Sequence, residues 1–271
     1  METTRNYDPK ITLVFSLAKK FQEMIEVSII MAGYNCEDSL LATLKSITNQ
    51  TYSDWKLTII DDNSNKKTKA ILKNFLTNKK IKIYWMKKNK GAGFCRNYAL
   101  KKTRSPYVAF IDSDDLWHKN KLKLQINYMK TNNYFFTYTN YKTFKKNHHQ
   151  KYTIKPPKKF WFNSFIKNTS IGTSTMIVKR SLTKGIKFPN TLICEDYYYK
   201  CQLLKKVGFA YCYPSCLSEY QIREDSLQSN RIRNLFWIWK INKDLNKLDI
   251  FKNLISLFFI SFNSIKKYGL R

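Results

Sequence analysis

Acidic residues and histidines are scarce in this chain of 271 residues. It has 19 Asp or Glu against 49 Lys or Arg, a formal net charge of +30, and only three histidines. So few histidines argue against a His-rich metal centre, so catalysis has to rest on carboxylates, thiols or hydroxyls. No G-x-G-x-x-G motif opens the first helix and no P-loop motif is present, which disfavours a nicotinamide-dependent Rossmann enzyme and a P-loop NTPase.

Long apolar runs and paired cysteines are missing too. The apolar stretches 11–18 and 250–262 fall short of the ~20 residues that a bilayer-spanning helix needs, and no convincing signal peptide is present. The second stretch has lysines on both flanks, which suits a helix packed on the domain or one lying in the interface of an anionic membrane. Six cysteines without a CxxC pair predict reduced structural thiols, with a zinc site as the alternative.

The hydrophobic content is high enough for a sizeable core. At 43% hydrophobic and 15% aromatic residues, the chain is not a disordered basic tail protein. Its positive charge comes from 41 lysines and 8 arginines, whereas nucleic-acid readers favour Arg for bidentate contacts. The charge therefore predicts attraction to anionic surfaces rather than sequence-specific nucleic-acid binding.

Strand and helix patterns alternate through the first half. Continuous apolar runs predict buried strands at 27–31, 55–60, 81–86 and 107–111, separated by helices at 38–48, 66–76 and 91–102. This order predicts an α/β fold, a mostly parallel twisted sheet flanked by helices, in which ligands bind beyond the carboxyl ends of the strands.

The second half is less regular. Its patterns predict helices at 121–130 and 195–207, strands at 134–140, 175–178, 209–213 and 217–222, and helices from about 229. The polar stretch 141–159 contains two adjacent prolines and is predicted as an exposed loop or hairpin.

The acids cluster. Ten of the 19 stand in adjacent pairs: Glu37-Asp38, Asp61-Asp62, Asp114-Asp115, Glu195-Asp196 and Glu224-Asp225. The first pair precedes an apolar-periodic run and is predicted as the first turn of a helix. The second and third pairs follow predicted strands, so both are expected at the same edge of the sheet.

Five motifs carry a family resemblance. They are VSIIMAGYN (27–35), ITNQTYSDWKLTIIDDNS (47–64), NKGAGFCRN (89–97), FIDSDD (110–115) and CEDYYYKCQLLKKVG (194–208). In order and spacing they resemble the family 2 glycosyltransferases, inverting enzymes of the GT-A fold that use nucleotide-sugar donors. The stretch YQIREDSLQSNR (220–231) resembles the branch that builds cell-surface polysaccharides, including teichuronic-acid-type enzymes.

The resemblance also implies a domain organisation. Residues 1–24 are expected to form an N-terminal extension, 25–228 the GT-A domain, and 229–271 C-terminal helices, for which the lysine-flanked apolar stretch leaves membrane association open. Within the domain, 25–116 is the nucleotide-sugar-binding half and 117–228 the acceptor-binding half. Met24 is a conventional start for the family, so residues 1–23 are expected to be dispensable or to reflect a mis-assigned start.

The resemblance assigns donor-nucleotide contacts to five positions. They are Ala32, Tyr34, Asp62, Arg96 and Asp112. Tyr34 is expected to stack on the base, Asp62 to accept a hydrogen bond from it, and Arg96 to contact the nucleotide or its phosphates. Alternatives remain: Asp62 could form an Asx-turn with Ser64, and Arg96 a salt bridge on a helix surface.

The second strand-end cluster is a candidate metal site. Asp112-Ser113-Asp114 forms a DxD motif, and Mg²⁺ or Mn²⁺ prefers oxygen ligands such as these. The resemblance implies that Asp112, Asp114 and Asp115 hold such an ion beside the donor diphosphate. The alternative is an Asp-rich turn that caps a helix beginning near Trp117.

The resemblance assigns catalysis to the acid pair Glu195-Asp196, called the ED pair below. A single displacement needs a carboxylate that takes the proton from the acceptor hydroxyl. Asp196 is the candidate base, with Glu195 and Arg223 as acceptor or positioning contacts. The alternatives are two first-turn acids that stabilise a helix dipole, and an Arg223 paired with Asp225.

The expected function is an inverting glycosyltransferase. It would move a sugar from a nucleotide-diphosphate donor, a UDP-sugar by expectation, to a hydroxyl of a lipid-linked or growing cell-surface polysaccharide. The expected location is the cytoplasm, with peripheral contact at the anionic inner face of the membrane and no nucleic-acid partner. Alternatives are a basic nucleic-acid-binding module and an inactive glycosyltransferase-fold scaffold.

Overall fold

Four parallel strands form the first half of the sheet. The structure, a computed structural model, describes residues 27–145, 148–222 and 230–268. The four strands are β1 (Val27–Gly33), β2 (Trp55–Asp61), β3 (Ile81–Trp85) and β4 (Tyr107–Phe110). They lie in the order β3-β2-β1-β4 and all pair in parallel. The predicted α/β architecture is confirmed, and the carboxyl ends of these strands share one edge.

Beyond β4 the sheet becomes mixed. The further strands are β5 (Leu116–Trp117), β6 (Phe136–Lys145), β7 (His148–Ile154), β8 (Lys159–Phe160), β9 (Ile177–Lys179) and β10 (Ala210–Gln221). β9 pairs antiparallel with both β4 and β6, so β6 again runs parallel to β4. β6 and β7 form the hairpin that the polar stretch 141–159 allowed.

β10 is one strand where the sequence predicted two. Its pairing with β6 shifts between Tyr213 and Cys216 and again between Cys216 and Ser218. Pro214 lies inside the first shift and has no N–H to donate to a neighbouring strand. The proline therefore disturbs the register without ending the strand.

Helices cover both faces of the sheet. They are α1 (Glu37–Thr48), α2 (Lys66–Lys73), α3 (Ala92–Lys102), α4 (Lys121–Thr131), α5 (Phe162–Phe165), α6 (Glu195–Val207), α7 (Arg231–Asp244) and α8 (Ile250–Tyr268). α2 ends three residues earlier than predicted. Trp117 lies in β5 and α4 begins only at Lys121, so the alternative in which the Asp-rich turn caps a helix near Trp117 is wrong.

Two apolar clusters, one on each face, make the core. Ile30, Ile60 and Phe110 belong to one cluster, and their strand neighbours Ile29 and Ile59 to the other. Successive side chains of a strand point to opposite faces, so strands buried on both sides read as continuous apolar runs. Within the described segments, no helix is both long enough and apolar enough to cross a membrane.

One lysine is fully buried in this core. The Nζ atom of Lys121 donates to Gln125 Oε1 at 2.6 Å and to the Thr175 carbonyl oxygen at 3.4 Å, and lies 4.7 Å from the centre of the Trp117 ring. These described partners are an amide, a carbonyl group and a ring. Burial lowers the pKa of Lys121 to about 7 because desolvation disfavours the ammonium form.

Replacing Lys121 should change how stability depends on pH. An unfolded lysine keeps its proton up to about pH 10.5 whereas the folded one loses it near pH 7. The unfolded state therefore binds more protons between these values, and stability rises with pH there. We compare the free energy of unfolding of Lys121→Met with that of the parent. We expect this difference to be about 3 kcal/mol less favourable to the variant at pH 9 than at pH 6.

Chemical denaturation of both proteins at the two pH values measures this difference. Lys123→Met on the same helix, at an exposed position, is the matched control and should show no such change. An equal effect of Lys121→Met at both pH values would show that the ammonium group is not desolvated in the folded chain.

Candidate active site

A buried arginine connects the two acid motifs. Arg96, on α3, is 7% exposed. Its Nη2 donates to Asp112 Oδ1 at 2.7 Å and its Nη1 to Glu195 Oε1 at 2.6 Å. Arg96 therefore brings the Asp-rich loop after β4 together with the first turn of α6. It is not the helix-surface salt bridge considered from the sequence.

The charges at this bridge shift one another. Burial alone would lower the pKa of Arg96, but the carboxylates of Asp112, Glu195 and Asp196 outweigh it and raise that pKa above its ordinary value. Burial raises the pKa of Glu195, an effect that Arg96 opposes. Buried charges are tolerated when each has a partner at hydrogen-bonding distance, so the guanidinium keeps both acids in place.

Two further residues of α3 seat the helix against the opposite half. A Cβ atom at Gly93 would lie 3.0 Å from Glu195 Cγ and 3.1 Å from the Pro189 carbonyl oxygen, so any larger residue would push these neighbours away. Asn97 donates to the Phe188 carbonyl oxygen and accepts from its N–H, at 2.8 and 2.9 Å. Sequence reasoning assigned neither residue a role. The one signal was a glycine inside a helix, where it costs stability.

Ser174 holds the Asp-rich loop that follows β4. Ser174 Oγ accepts from the Asp112 N–H at 3.0 Å and donates to Asp115 Oδ2 at 2.5 Å. Asp115 Oδ1 accepts from the Gln221 N–H at 3.0 Å. Asp115 is fully buried, and burial, with Asp114 and Asp112 nearby, raises its pKa well above the ordinary value. Both Asp115 oxygens thus anchor the loop.

The other side of the loop rests on α1. The carbonyl oxygen of Ser113 accepts from Ser39 Oγ and from Thr43 Oγ1, both at 3.1 Å. Hydroxyl groups on successive turns of one helix therefore fix the centre of the DxD motif. Asp112 and Asp114 on either side of Ser113 are only partly buried.

A short 3₁₀ turn, Thr173–Thr175, touches both acid motifs. Thr173 Oγ1 donates to Asp196 Oδ2 at 2.8 Å, while Ser174 holds the Asp-rich loop. The carbonyl oxygen of Ser174 also accepts from Trp117 Nε1 and Ser218 Oγ, at 2.8 and 3.1 Å. Sequence reasoning missed this turn, whose only signal was three consecutive hydroxyl residues after a glycine.

Asp196 is held by a lysine on its own helix. Lys200 Nζ donates to Asp196 Oδ2 at 2.7 Å. Burial alone would raise the pKa of Asp196, but Lys200, with Arg96 and Thr173, holds it well below its ordinary value. Cys194, just before the pair, has a left-handed backbone with φ of 61°, which is rare for residues other than Gly, Asn or Asp.

The predicted donor residues lie at the carboxyl ends of β1 and β2. Tyr34 is 53% exposed and Ala32 partly buried. Asp62 is buried, and its two carboxylate oxygens accept from the N–H groups of Lys90 and Gly91, each at 2.7 Å. A carboxylate has about four acceptor positions, so a bond from a nucleotide base remains compatible with this arrangement.

Asp62 does not form the Asx-turn with Ser64 that was the alternative. The Ser64 N–H donates to Asp61 Oδ2 at 3.2 Å instead, three residues back, whereas an Asx-turn spans two. Gly91 has φ of +84°, a conformation that favours glycine and turns its N–H toward Asp62. The glycine-containing turn before α3 therefore connects the donor side to the helix that carries Arg96.

Arg223 and the predicted metal ligands complete the candidate site residues. Arg223 lies outside the described residues. In the segments that the structure describes, no group of three or more His, Cys, Asp or Glu could hold a metal ion, so zinc gains no support. Asp112, Asp114 and Asp115 likewise do not form one ligand set, because Asp115 is turned toward Ser174 and Gln221.

Comparisons with known proteins place the chain among proteins of one kind. The family model "Glycosyl transferase family 2" matches residues 28–187. The Bacillus subtilis (strain 168) glycosyltransferase TuaG, whose name assigns it to teichuronic acid biosynthesis, is 31% identical over 244 residues, 89% of this chain and 96% of that protein. The Escherichia coli UDP-Glc:alpha-D-GlcNAc-diphosphoundecaprenol beta-1,3-glucosyltransferase WfgD is 36% identical over 220 residues, 80% and 85% of the two chains.

A solved structure shares the fold. S. aureus TarS 1-349 in complex with UDP-GlcNAc superposes with a TM-score of 0.68 at 20% sequence identity, over 90% of this chain and 73% of that one. The chain spans 43% of the longer TarS chain.

Breaking the arginine bridge should destabilise the protein. Arg96→Lys keeps one positive charge, but an ammonium group cannot replace a planar guanidinium that bonds two carboxylates at once. One buried acid then loses its partner, and we expect the free energy of unfolding to fall by about 3 kcal/mol.

Arg104→Lys, at an exposed position at the end of the same helix, is the control and should change stability by less than about 0.5 kcal/mol. Urea denaturation of the parent and the two variants measures these free energies of unfolding. Equal stability of Arg96→Lys and Arg104→Lys would mean that the bridge contributes nothing to the fold.

Proposed function

The chain belongs to glycosyl transferase family 2 and is a nucleotide-sugar-dependent glycosyltransferase, and we propose that it transfers its sugar by a single displacement that inverts the anomeric carbon. The observation that carries this proposal is the Arg96 bridge. A single displacement needs the donor diphosphate and the base for the acceptor within one sugar's width. Arg96 holds a donor-side acid, Asp112, and an acceptor-side acid, Glu195, on one guanidinium, which supports such a close arrangement.

We propose Asp196 as the catalytic base. Thr173 and Lys200 both bond Oδ2, so Oδ1 is the oxygen we assign to the acceptor hydroxyl. Because Lys200 lowers its pKa, Asp196 is ionised near neutral pH and is available to receive the hydroxyl proton. The acceptor oxygen then bonds to the anomeric carbon as the bond from that carbon to the phosphate oxygen breaks.

A divalent cation fits the donor side. We propose that Asp112 and Asp114 hold Mg²⁺ or Mn²⁺, since these ions bind through one or two carboxylates and complete their coordination with substrate phosphates and water. Asp115, predicted as a third ligand, supports this loop from beneath through Ser174. When bound, the metal would neutralise charge on the departing diphosphate.

The proposed donor is a UDP-sugar. Tyr34, exposed at the end of β1, would stack on the base, and Asp62 would accept a hydrogen bond from it. The names of WfgD and of the TarS complex contain UDP-Glc and UDP-GlcNAc, which supports this choice for a related chain. Ala32 would line the same side.

The proposed acceptor is a lipid-linked or growing cell-surface polysaccharide. WfgD is named for a diphosphoundecaprenol-linked acceptor and TuaG for teichuronic acid. Glu195 and Arg223 are the proposed positioning contacts for it. We place the reaction in the cytoplasm, at the anionic inner face of the membrane.

Removing either carboxylate should abolish transfer without unfolding the chain. We expect Asp114→Asn and Asp196→Asn each to lower kcat/KM by about 100-fold or more, because a positioned base or charge contributes that much. Release of UDP from a panel of UDP-sugars, with Mg²⁺ or Mn²⁺ and a lipid-diphosphate-sugar acceptor, measures this. Asp249→Asn, in an exposed ion pair on α8, is the control.

The two variants should differ in donor binding. Asp196→Asn should keep the thermal stabilisation by UDP-sugar with metal, whereas Asp114→Asn should lose its metal-dependent part. Full activity of either variant would refute the role assigned to that residue, and product with retained anomeric configuration would refute the single displacement.

Lys200 should set the acid limb of the pH profile. A base works only when ionised, so activity falls as the pH drops through its pKa. Lys200→Met removes the charge that keeps the Asp196 pKa low, and we expect the acid limb of kcat/KM to move to higher pH. Lys200→Arg should keep the limb in place, and so should Lys206→Met on the exposed face of α6. An unmoved limb in Lys200→Met would show that Lys200 does not tune Asp196.

A further inference from the structure

The last helix buries polar side chains and exposes apolar ones. On α8, Asn253 and Ser256 are 1% and 0% exposed. The outer face of α8 consists of six apolar residues that are 41–75% exposed: Phe251, Leu254, Ile255, Phe258, Phe262 and Ile265. Ile260 and Leu257 of α8 do pack against the core, but the outer face is a second apolar stripe, which an ordinary surface helix lacks.

The outer face is one continuous stripe. Its members recur at intervals of three, four and seven residues, the spacing that places side chains on one side of a helix. None of the six carries a charge or a hydrogen-bonding side chain. Exposed apolar patches of this kind mark interaction sites for a protein or a membrane.

Hydrogen bonds fix the direction in which the stripe points. Ser256 Oγ donates to the Ile166 carbonyl oxygen at 2.5 Å, and Asn253 Nδ2 to that of Trp239 at 3.1 Å. Asn242, on α7, donates to both Asn253 Oδ1 and Ser256 Oγ at 3.1 Å. Rotating α8 to bury its apolar side would break this buried network, and buried polar groups without partners are costly.

The positive charge of the chain favours an anionic partner for the outer face of α8. The segment 230–271 has nine Lys or Arg against two Asp. Lys240, Lys243 and Lys247, on α7 and in the turn before α8, are exposed. A second copy would bring one +30 chain against another, which opposes association, whereas an anionic bilayer attracts such a surface.

We infer that the outer face of α8 inserts into an anionic lipid bilayer, with the lysines around it on the headgroups. The inner face is bonded to the domain along its length, so α8 lies in the plane of the membrane. This surface does not depend on sugar transfer. If the proposed function is correct, this surface also shows which side of the protein faces the membrane and its lipid-linked acceptor.

The same network reaches the ED pair. Tyr197, which follows Asp196, donates its hydroxyl to Asn242 Oδ1 at 2.8 Å. Asn242 is the residue that holds α8, so the helix on the bilayer and the helix with the candidate base are joined by one buried side chain. Docking would therefore place Asp196 at a constant height above the lipid surface.

Vesicle flotation with the full chain tests the inference. We expect binding to phosphatidylcholine vesicles containing about 30% phosphatidylglycerol at low salt, at least about tenfold stronger than to pure phosphatidylcholine. Phe251→Ser with Phe258→Ser should weaken this binding about tenfold or more. Leu41→Ser with Leu76→Ser, which removes two exposed apolar side chains elsewhere, should change it by less than about twofold.

A further variant tests the charge. Lys240→Gln, Lys243→Gln and Lys247→Gln together should reduce the preference for phosphatidylglycerol while the melting temperature stays unchanged. Equal vesicle binding by the parent and the Phe251→Ser, Phe258→Ser variant would overturn the inference. A parent dimer by light scattering that this variant converts to monomer, without a change in vesicle binding, would overturn it in favour of a second copy.

Transfer to a soluble acceptor analogue separates this inference from the proposed function. Retained transfer by the Phe251→Ser, Phe258→Ser variant, together with lost vesicle binding, supports docking as the role of the outer face. Vesicle binding by a parent that transfers no sugar leaves docking supported and counts against the proposed function alone.

Discussion

One buried guanidinium joins the two halves of the site. Arg96 reaches Asp112 across a neighbouring strand end and Glu195 across the interface with α6. Glu195 is largely and Asp112 partly withdrawn from water, and a partner at short distance stabilises each of them. The close approach of α3 serves this pairing, and the glycine at position 93 fits it, because a Cβ atom there would press on Glu195.

Asp115 and Asp196 have different surroundings, and their pKa values shift in opposite directions as a result. Asp115 is buried against Ser174 and beside two other acids, so its pKa is raised. Asp196 is also withdrawn from water, yet Lys200 and Arg96 keep its pKa low. One carboxyl group is thereby favoured in its neutral form and the other in its ionised form. Environment, not residue type, makes the difference.

Much of the fold was predictable from local patterns. The four parallel strands and the helices between them follow from continuous apolar runs and helical spacing, and these signals need only near neighbours. The merging of two predicted strands into β10 was not predictable, since pairing with β6 carries the strand past Pro214. The 3₁₀ turn Thr173–Thr175 was missed as well, because its partners lie far away in the chain.

The sequence by itself determined the motifs, their order and the family, because residue types at fixed spacing specify them. Tertiary structure decided the surroundings of each acid: it bonded Asp115 to Ser174 and Gln221, paired Asp196 with Thr173 and Lys200, and placed Arg96 between two acids. It also decided the direction of α8. Periodicity shows an apolar stripe on that helix, but an apolar stripe normally faces the core. Only the bonds from Asn253 and Ser256 to distant backbone groups turn the stripe outward.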